Sequence, residues 1–211
     1  MAPPSEPAVT DLQGQFGNID IYLFDQLLRG RIGAGMHVLD SGCGGGRNLV
    51  YLLRRSDIEV YASDADPAAV AAVRSLAKEL RPGLPVEHIR HEPVEHPSFA
   101  DRSMDVVVSN AVLHFARDGV HFDAMVAAMW RLLRRGGMLF ARLASSIGME
   151  SRMQAVGNGR YLMPDGSERY LVDQARLMAT TTRLGGTLLD PLKTTIVQDQ
   201  RCMTTWVMGK A

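Results

Sequence analysis

A chain of 211 residues has the length of one ordinary domain. Its 46% hydrophobic and 22% charged residues can build a substantial core, which excludes an intrinsically disordered protein. Lysines and arginines number 23, as do aspartates and glutamates, and this zero net charge argues against a constitutive nucleic-acid binder, which carries a basic footprint.

In chain order, residues 1–14 hold three of the ten prolines, and 1–15 read as a flexible arm ahead of a single domain over 16–211. MAPPSEPAVT has neither the basic nor the apolar region of a signal peptide. No window approaches 18 consecutive apolar residues, so no membrane span is expected. Cys43 and Cys202 are too few and too far apart for a disulfide framework and fit a reducing compartment. A soluble cytoplasmic protein is the expectation.

Ile19, Leu23 and Leu27 recur at helical spacing, with Asn18 a plausible N-cap and Gly30 a terminator. HVLDS (37–41) reads as a strand, GCGGG as a loop and RNLVYLLRR as a helix. EVYAS (59–63) is a second strand, and 66–80 a helix with Asp66 as N-cap and Pro67 at its first position. VEHIR (86–90) is a weaker third strand. MDVVVSN (104–110) has the continuous apolar run of a strand buried on both faces. A helix over 123–133, a turn at Gly136-Gly137 and a fifth strand MLFARLAS (138–145) follow. This alternation is the signature of a parallel α/β sheet covered on both faces. Beyond it, 160–172 reads as two extended runs around the turn Pro164-Asp165-Gly166, 173–183 as a helix, and TLLDPLKTTIV and RCMTTWVMGK as two final strands.

The strand–glycine loop–helix VLDSGCGGGRN (38–48) lets a ligand approach backbone and helix N–H groups closely. It is not a dinucleotide fingerprint: counting from Gly42, the third residue is Gly44 but the sixth is Arg47. It is not a Walker A loop either, since no Gly-Lys-Ser/Thr follows. Asp40 would repel a pyrophosphate and favours a cationic group. Asp64, at the tip of the second strand, can accept both hydroxyls of a ribose, whereas Asp66 is explained as a helix cap. The plainer reading is a tight turn with Asp40 capping a helix.

VLDSGCGGGRNL resembles the first motif of class I S-adenosylmethionine-dependent methyltransferases. ASDADPAAV, MDVVVSNAVLHF and LLRRGGMLF resemble the three motifs that follow, over about residues 36–145. The resemblance implies a Rossmann-like, mostly parallel seven-stranded sheet in the order 3-2-1-4-5-7-6, with strand 7 antiparallel and helices on both faces. It implies S-adenosylmethionine as cofactor and S-adenosylhomocysteine as product. Gly42, Cys43 and Gly44 would admit the methionine part, Asp40 would lie near its amino group, and Asp64 with Ala65 would hold the ribose. Glu92, Pro93 and Val94 would meet the adenine, with Glu95 competing for the acidic role, and Asn110 would face the cofactor.

Methyl transfer from a sulfonium is an in-line displacement in which the protein mainly positions and desolvates. A base is needed only if the nucleophile must lose a proton. His114 is the candidate base, and its alternative is a loop histidine that packs against the cofactor or caps the next helix. His88, His91 and His96 lack a companion cysteine or carboxylate set, so no metal is expected. Ser109-Asn110-Ala111-Val112 stands where amino-methylating DNA enzymes carry a Pro-Pro motif, so a small-molecule acceptor is expected, with neither nucleic acid nor membrane as partner. The oligomer is expected to be a monomer or homodimer.

Two segments are expected to form the acceptor lid: the first helix, with Tyr22, and the insert 146–172, with Arg160 and Tyr161. Arg169 and Tyr170 add to groups suited to an anionic or planar ligand, or else to a solvated hairpin. A weaker resemblance, to tellurite-resistance methyltransferases, would imply soft nucleophiles and no base. The rival readings are a non-catalytic S-adenosylmethionine-binding sensor or scaffold and a nucleotide-linked oxidoreductase.

Overall fold

The computed structural model describes residues 11–211, so most of the expected arm lies outside the described residues. Residues Leu12–Phe16 form a short helix, α1, whose N-cap Asp11 accepts from the Gly14 N–H at 2.8 Å. The Phe16 ring stacks on Tyr51 and meets Phe24 edge-on, both at 4.9 Å between centroids, and this contact holds the segment on the domain. Helix α2, Ile21–Leu28, starts later than Asn18 suggests. Asp20 is the cap, because its carboxylate reaches the N–H groups of Tyr22 and Leu23.

The alternating region gives β1 (His37–Ser41), α3 (Val50–Arg54), β2 (Glu59–Asp64), α4 (Pro67–Leu80), β3 (Ile89–His91), β4 (Met104–Asn110), α5 (Gly119–Leu132) and β5 (Leu133–Ala144). Asp66 caps α4 through the Ala68 N–H at 2.8 Å. The third strand is shorter than expected, because a 3-10 turn over Val86–His88 follows Pro85. Helix α5 begins at Gly119, where Asp118 caps it through the His121 N–H. The insert's two expected extended runs are β7 (Arg160–Leu162) and β8 (Glu168–Tyr170), and β6 (Gln154–Gly157), ahead of them, adds a third strand to the antiparallel sheet. Then come α6 (Gln174–Arg183), β9 (Gly186–Leu188), β10 (Lys193–Val197) and β11 (Arg201–Lys210).

The main sheet runs β10-β11-β5-β4-β1-β2-β3, with β9 also paired to β11. Strands β3, β2, β1, β4 and β5 are parallel and β11 is antiparallel to β5. This is the 3-2-1-4-5-7-6 order, with the sixth position split into β9 and β10. The split falls at Asp190-Pro191: proline offers no N–H to the ladder, and Asp190 turns to Gln26, Arg29 and Arg31.

Every residue of β4 is buried. Val106 and Val108 join a cluster with Val38, Val60, Leu52, Val73 and Phe140, while Val107 joins Leu39, Phe122, Met129, Leu139 and Trp206. The two-residue period of a strand thus feeds two cores, one on each face. The parallel strands end together at one edge, and the loops there build the site.

Candidate active site

The loop after β1 turns sharply into α3. Gly42 has φ +80°, and a Cβ there would lie 2.5 Å from a Val112 methyl, so both backbone and space demand glycine. The N–H groups of Gly42 and Cys43 donate to the Ser63 carbonyl at 2.8 and 3.0 Å, pinning the loop to the end of β2. Asp64 completes the clamp: one carboxylate oxygen accepts from Gly44 N–H at 2.8 Å, the other from Asp66 N–H at 2.9 Å.

Above this loop lies a cavity of about 490 Å³ lined by Gly42, Cys43, Gly44, Asp64, Ala65, Pro93, Val94 and Asn110. These are eight of the ten residues expected to bind cofactor. Asp40 sits beneath, 1% exposed, with no hydrogen-bond partner for either carboxylate oxygen. Burial pushes its pKa up to about 7, against the pull of Arg47 and with a further push from Asp64. A carboxylate so placed suits a cationic ligand group. Burial, with Asp40 and Asp64 nearby, pushes the Cys43 thiol up, so it remains protonated and is no nucleophile.

Glu92 is not among the residues lining this cavity. One of its carboxylate oxygens accepts from the Ser98 N–H at 3.1 Å and the Ser98 hydroxyl at 2.5 Å. Glu95 lines the cavity and pairs with His121 Nε2 at 3.0 Å, so the chain leaving β3 brings the later glutamate to the site.

A second cavity, of about 280 Å³, adjoins the first and shares Arg47 and Ala111 with it. Its wall comes from the β4 exit (His114), from β5 (Arg142, Ala144), from the insert (Met163, Asp165, Ser167, Arg169) and from the β10–β11 edge (Val197, Arg201, Met203). Ala111, between the cavities, has φ +64° and donates its N–H to the Arg142 carbonyl at 2.7 Å. Such a backbone costs a non-glycine residue about 1–3 kcal/mol and is held by its surroundings.

His114 lines this second cavity, but its geometry does not suit a base. Nδ1 accepts from the Ala144 N–H at 3.2 Å, which places the ring proton on Nε2. Burial, helped by Arg169, pushes its pKa down to about 4, so the ring is neutral near pH 7. It can offer an N–H to a ligand, and it has no lone pair left to take a proton.

The expected acceptor residues Tyr22, Arg160 and Tyr161 line neither cavity. The Tyr22 hydroxyl bonds to the Thr195 hydroxyl at 2.8 Å, and its ring lies under Arg142. Arg160 bonds to Glu168 at 2.6 Å and to the Ala116 carbonyl at 2.8 Å, tying the insert to the β4 exit. Tyr161 packs beside Ala144, Met163, Leu171 and Cys202. Sequence reading missed Arg47, Arg142 and Arg201 as wall residues. Arg142 carried a legible signal, as the one charged residue in the apolar run MLFARLAS. His88 and His91 spend ring nitrogens on the carbonyls of Val60 and Ala65, and the described residues contain no group of three metal-ligating side chains. No helix among the described residues is long and apolar enough to cross a membrane.

A doubly wound sheet with a glycine loop, an unpaired carboxylate beneath it and an acidic tip on the next strand has the Rossmann-like form, in which ligands bind at the carboxyl ends of the parallel strands. Residues 39–141 match the model of a family described as a methyltransferase domain. With the four motifs and the sheet order, this match is consistent with the class I S-adenosylmethionine-dependent methyltransferases, whose cofactor is S-adenosylmethionine. A S-adenosylmethionine-dependent methyltransferase of Methanosarcina mazei superposes with a TM-score of 0.70 at 18% identity, covering 87% of this chain and 96% of that one. The 1,6-didemethyltoxoflavin-N1-methyltransferase of Burkholderia thailandensis, solved with 1,6-didemethyltoxoflavin and S-adenosylhomocysteine, gives 0.67 at 18% identity over 95% and 81%. The magnesium protoporphyrin IX methyltransferase of Synechocystis, solved with S-adenosylmethionine, gives 0.66 at 16% identity over 98% and 87%. A comparison with curated proteins found no match.

Proposed function

We propose that this chain transfers a methyl group to a small-molecule acceptor seated in the second cavity. The observation that carries the proposal is the shared wall: Arg47 and Ala111 border both cavities, so a ligand in each would meet there. Bound S-adenosylmethionine supplies a methyl group on a positively charged sulfur, open to in-line displacement. Asp40 offers the unpaired carboxylate that suits the cofactor's ammonium group, and Gly42 with Gly44 leaves room for its approach. Asp64 and Ala65 would hold the ribose, and Pro93, Val94 and Glu95 the adenine, with Glu95 in the place first given to Glu92. Asn110, buried with its Nδ2 unpartnered, would meet the cofactor at the tip of β4. This chain's part is to position and to exclude water, because His114 is not arranged to remove a proton. Two unpaired, buried cysteines support a cytoplasmic setting.

Purified protein incubated with S-adenosylmethionine and a panel of small thiols, phenols, amines and carboxylic acids tests the reading. Acceptor-dependent formation of S-adenosylhomocysteine with a matching methylated product is the expected result. Tight cofactor binding with no turnover on any acceptor would favour the sensor reading instead.

A further inference from the structure

The charge in the second cavity is out of balance. Four guanidinium groups line it, those of Arg47, Arg142, Arg169 and Arg201. Two carboxylates answer them. Asp20 is shared by Arg47 at 3.4 Å and Arg142 at 3.2 Å. Asp165 lies in the field of both Arg169 and Arg201, with a hydrogen bond from Ser167 holding its carboxyl below the usual range. Arg142 also keeps a buried Nε–H with no partner, although the guanidinium is fixed over the Tyr22 ring and at Asp20. A buried charged donor left unmet is costly, and a ligand acceptor would relieve that cost.

The arginines come from four separate segments: the glycine loop, β5, β8 and the start of β11. Arg169 is held by its bond to the Glu168 carbonyl at 2.9 Å and by the Phe115 ring 4.9 Å from its guanidinium carbon. The remaining wall is apolar, with Met163, Met203, Val197 and Ala144. Guanidinium forks recognise planar oxyanions, and thioether and methyl groups accept a flat apolar body.

Resting on the methyltransferase reading above, we infer that the acceptor is a small organic acid whose carboxylate is bound by Arg142, Arg169 and Arg201, with its apolar body against Met163 and Met203. About 280 Å³ accommodates a one- or two-ring acid. The acceptor's lone pair forms the bond to the methyl carbon while the carbon–sulfur bond breaks and its electron pair stays on sulfur. An acceptor atom that carries no proton, such as a carboxylate oxygen, thiolate or tertiary amine, leaves nothing for a base to remove. That matches a cavity whose histidine already has its Nδ1 bonded to a backbone N–H.

The test is calorimetry on the full chain saturated with S-adenosylhomocysteine, titrated with benzoate, 1-naphthoate, their amides and inorganic phosphate. At least one carboxylate should bind, with its amide at least tenfold weaker. Arg201→Gln and Arg142→Gln should each weaken the carboxylate about ten- to a hundredfold, the loss of one charge-assisted bond. Arg201→Gln should leave S-adenosylhomocysteine affinity unchanged, which separates this site from the cofactor's. Equal binding of acid and amide, or no binding of either acid, overturns the inference. Phosphate binding without carboxylate binding also overturns it, since the arginines would then serve a free oxyanion. Failure of S-adenosylhomocysteine itself to bind would instead defeat the methyltransferase reading.

Discussion

Asp40→Asn removes a carboxylate that the fold buries without a partner, at nearly constant volume. In the unfolded chain this group titrates near 3.8, and in the folded protein near 7. The native state therefore binds the extra proton between those values, and stability falls as pH rises through the window. Each pH unit costs about 1.4 kcal/mol, so the folded wild type loses as much as about 4 kcal/mol by pH 7 from Asp40 alone. The asparagine variant escapes this loss. Urea denaturation of both proteins from pH 4 to pH 8 isolates the effect, because other titrating groups cancel in the difference. The variant should gain on the wild type by about 1.4 kcal/mol per pH unit up to about pH 7 and then hold level. Saturating S-adenosylhomocysteine should reverse the order, since its ammonium group would stabilise the Asp40 carboxylate and not the amide. A stability difference independent of pH would refute the reasoning, by showing that Asp40 is solvated or paired in the free protein.

Three further outcomes follow from the same geometry. Asp64→Ala should weaken S-adenosylhomocysteine binding by about 1–3 kcal/mol in calorimetry, because it removes the proposed ribose acceptors and frees the Gly44 N–H; unchanged affinity would mean that Asp64 is only a loop clamp. Gly42→Ala should cost about 1–3 kcal/mol of stability from its φ of +80°, with more from overlap with Val112, and should abolish cofactor binding; normal binding would show that the loop relaxes freely. Because His114 is held neutral with a folded pKa of about 4, turnover between pH 6 and pH 9 should show no inflection that disappears in His114→Ala. Such an inflection would restore it as a base. His114→Ala should still lower turnover more than S-adenosylhomocysteine affinity, since the ring lines only the second cavity.

The strand–helix alternation of 37–145 was legible because each element carries its own local reason. The valines of β4, Asp66 with Pro67 at the head of α4, and the glycines after β1 act within a few residues of themselves. That the glycine loop and the acidic strand tip meet at one cavity was legible for the same cause, since they lie in fixed relation to consecutive parallel strands. The choice between Glu92 and Glu95 was not, because it turns on a contact with Ser98 formed only once the loop closes. The helix over Leu12–Phe16 was likewise hidden, since two aromatic contacts from other segments hold it.

The acceptor side shows the limit most clearly. Arg160 and Tyr161 looked like binding groups by residue type, yet one is a strap between the insert and the β4 exit and the other is packing. The arginines that do line the cavity stand at positions 47, 142, 169 and 201, where no local pattern links them. The sequence alone determined the strands and helices over 37–145, because those rest on period, caps and turns that act over short range, while the sheet order was legible only through the resemblance of its motifs to a known family. Tertiary structure decided which charges meet, because four distant segments converge only when the sheet edge and the insert close on each other.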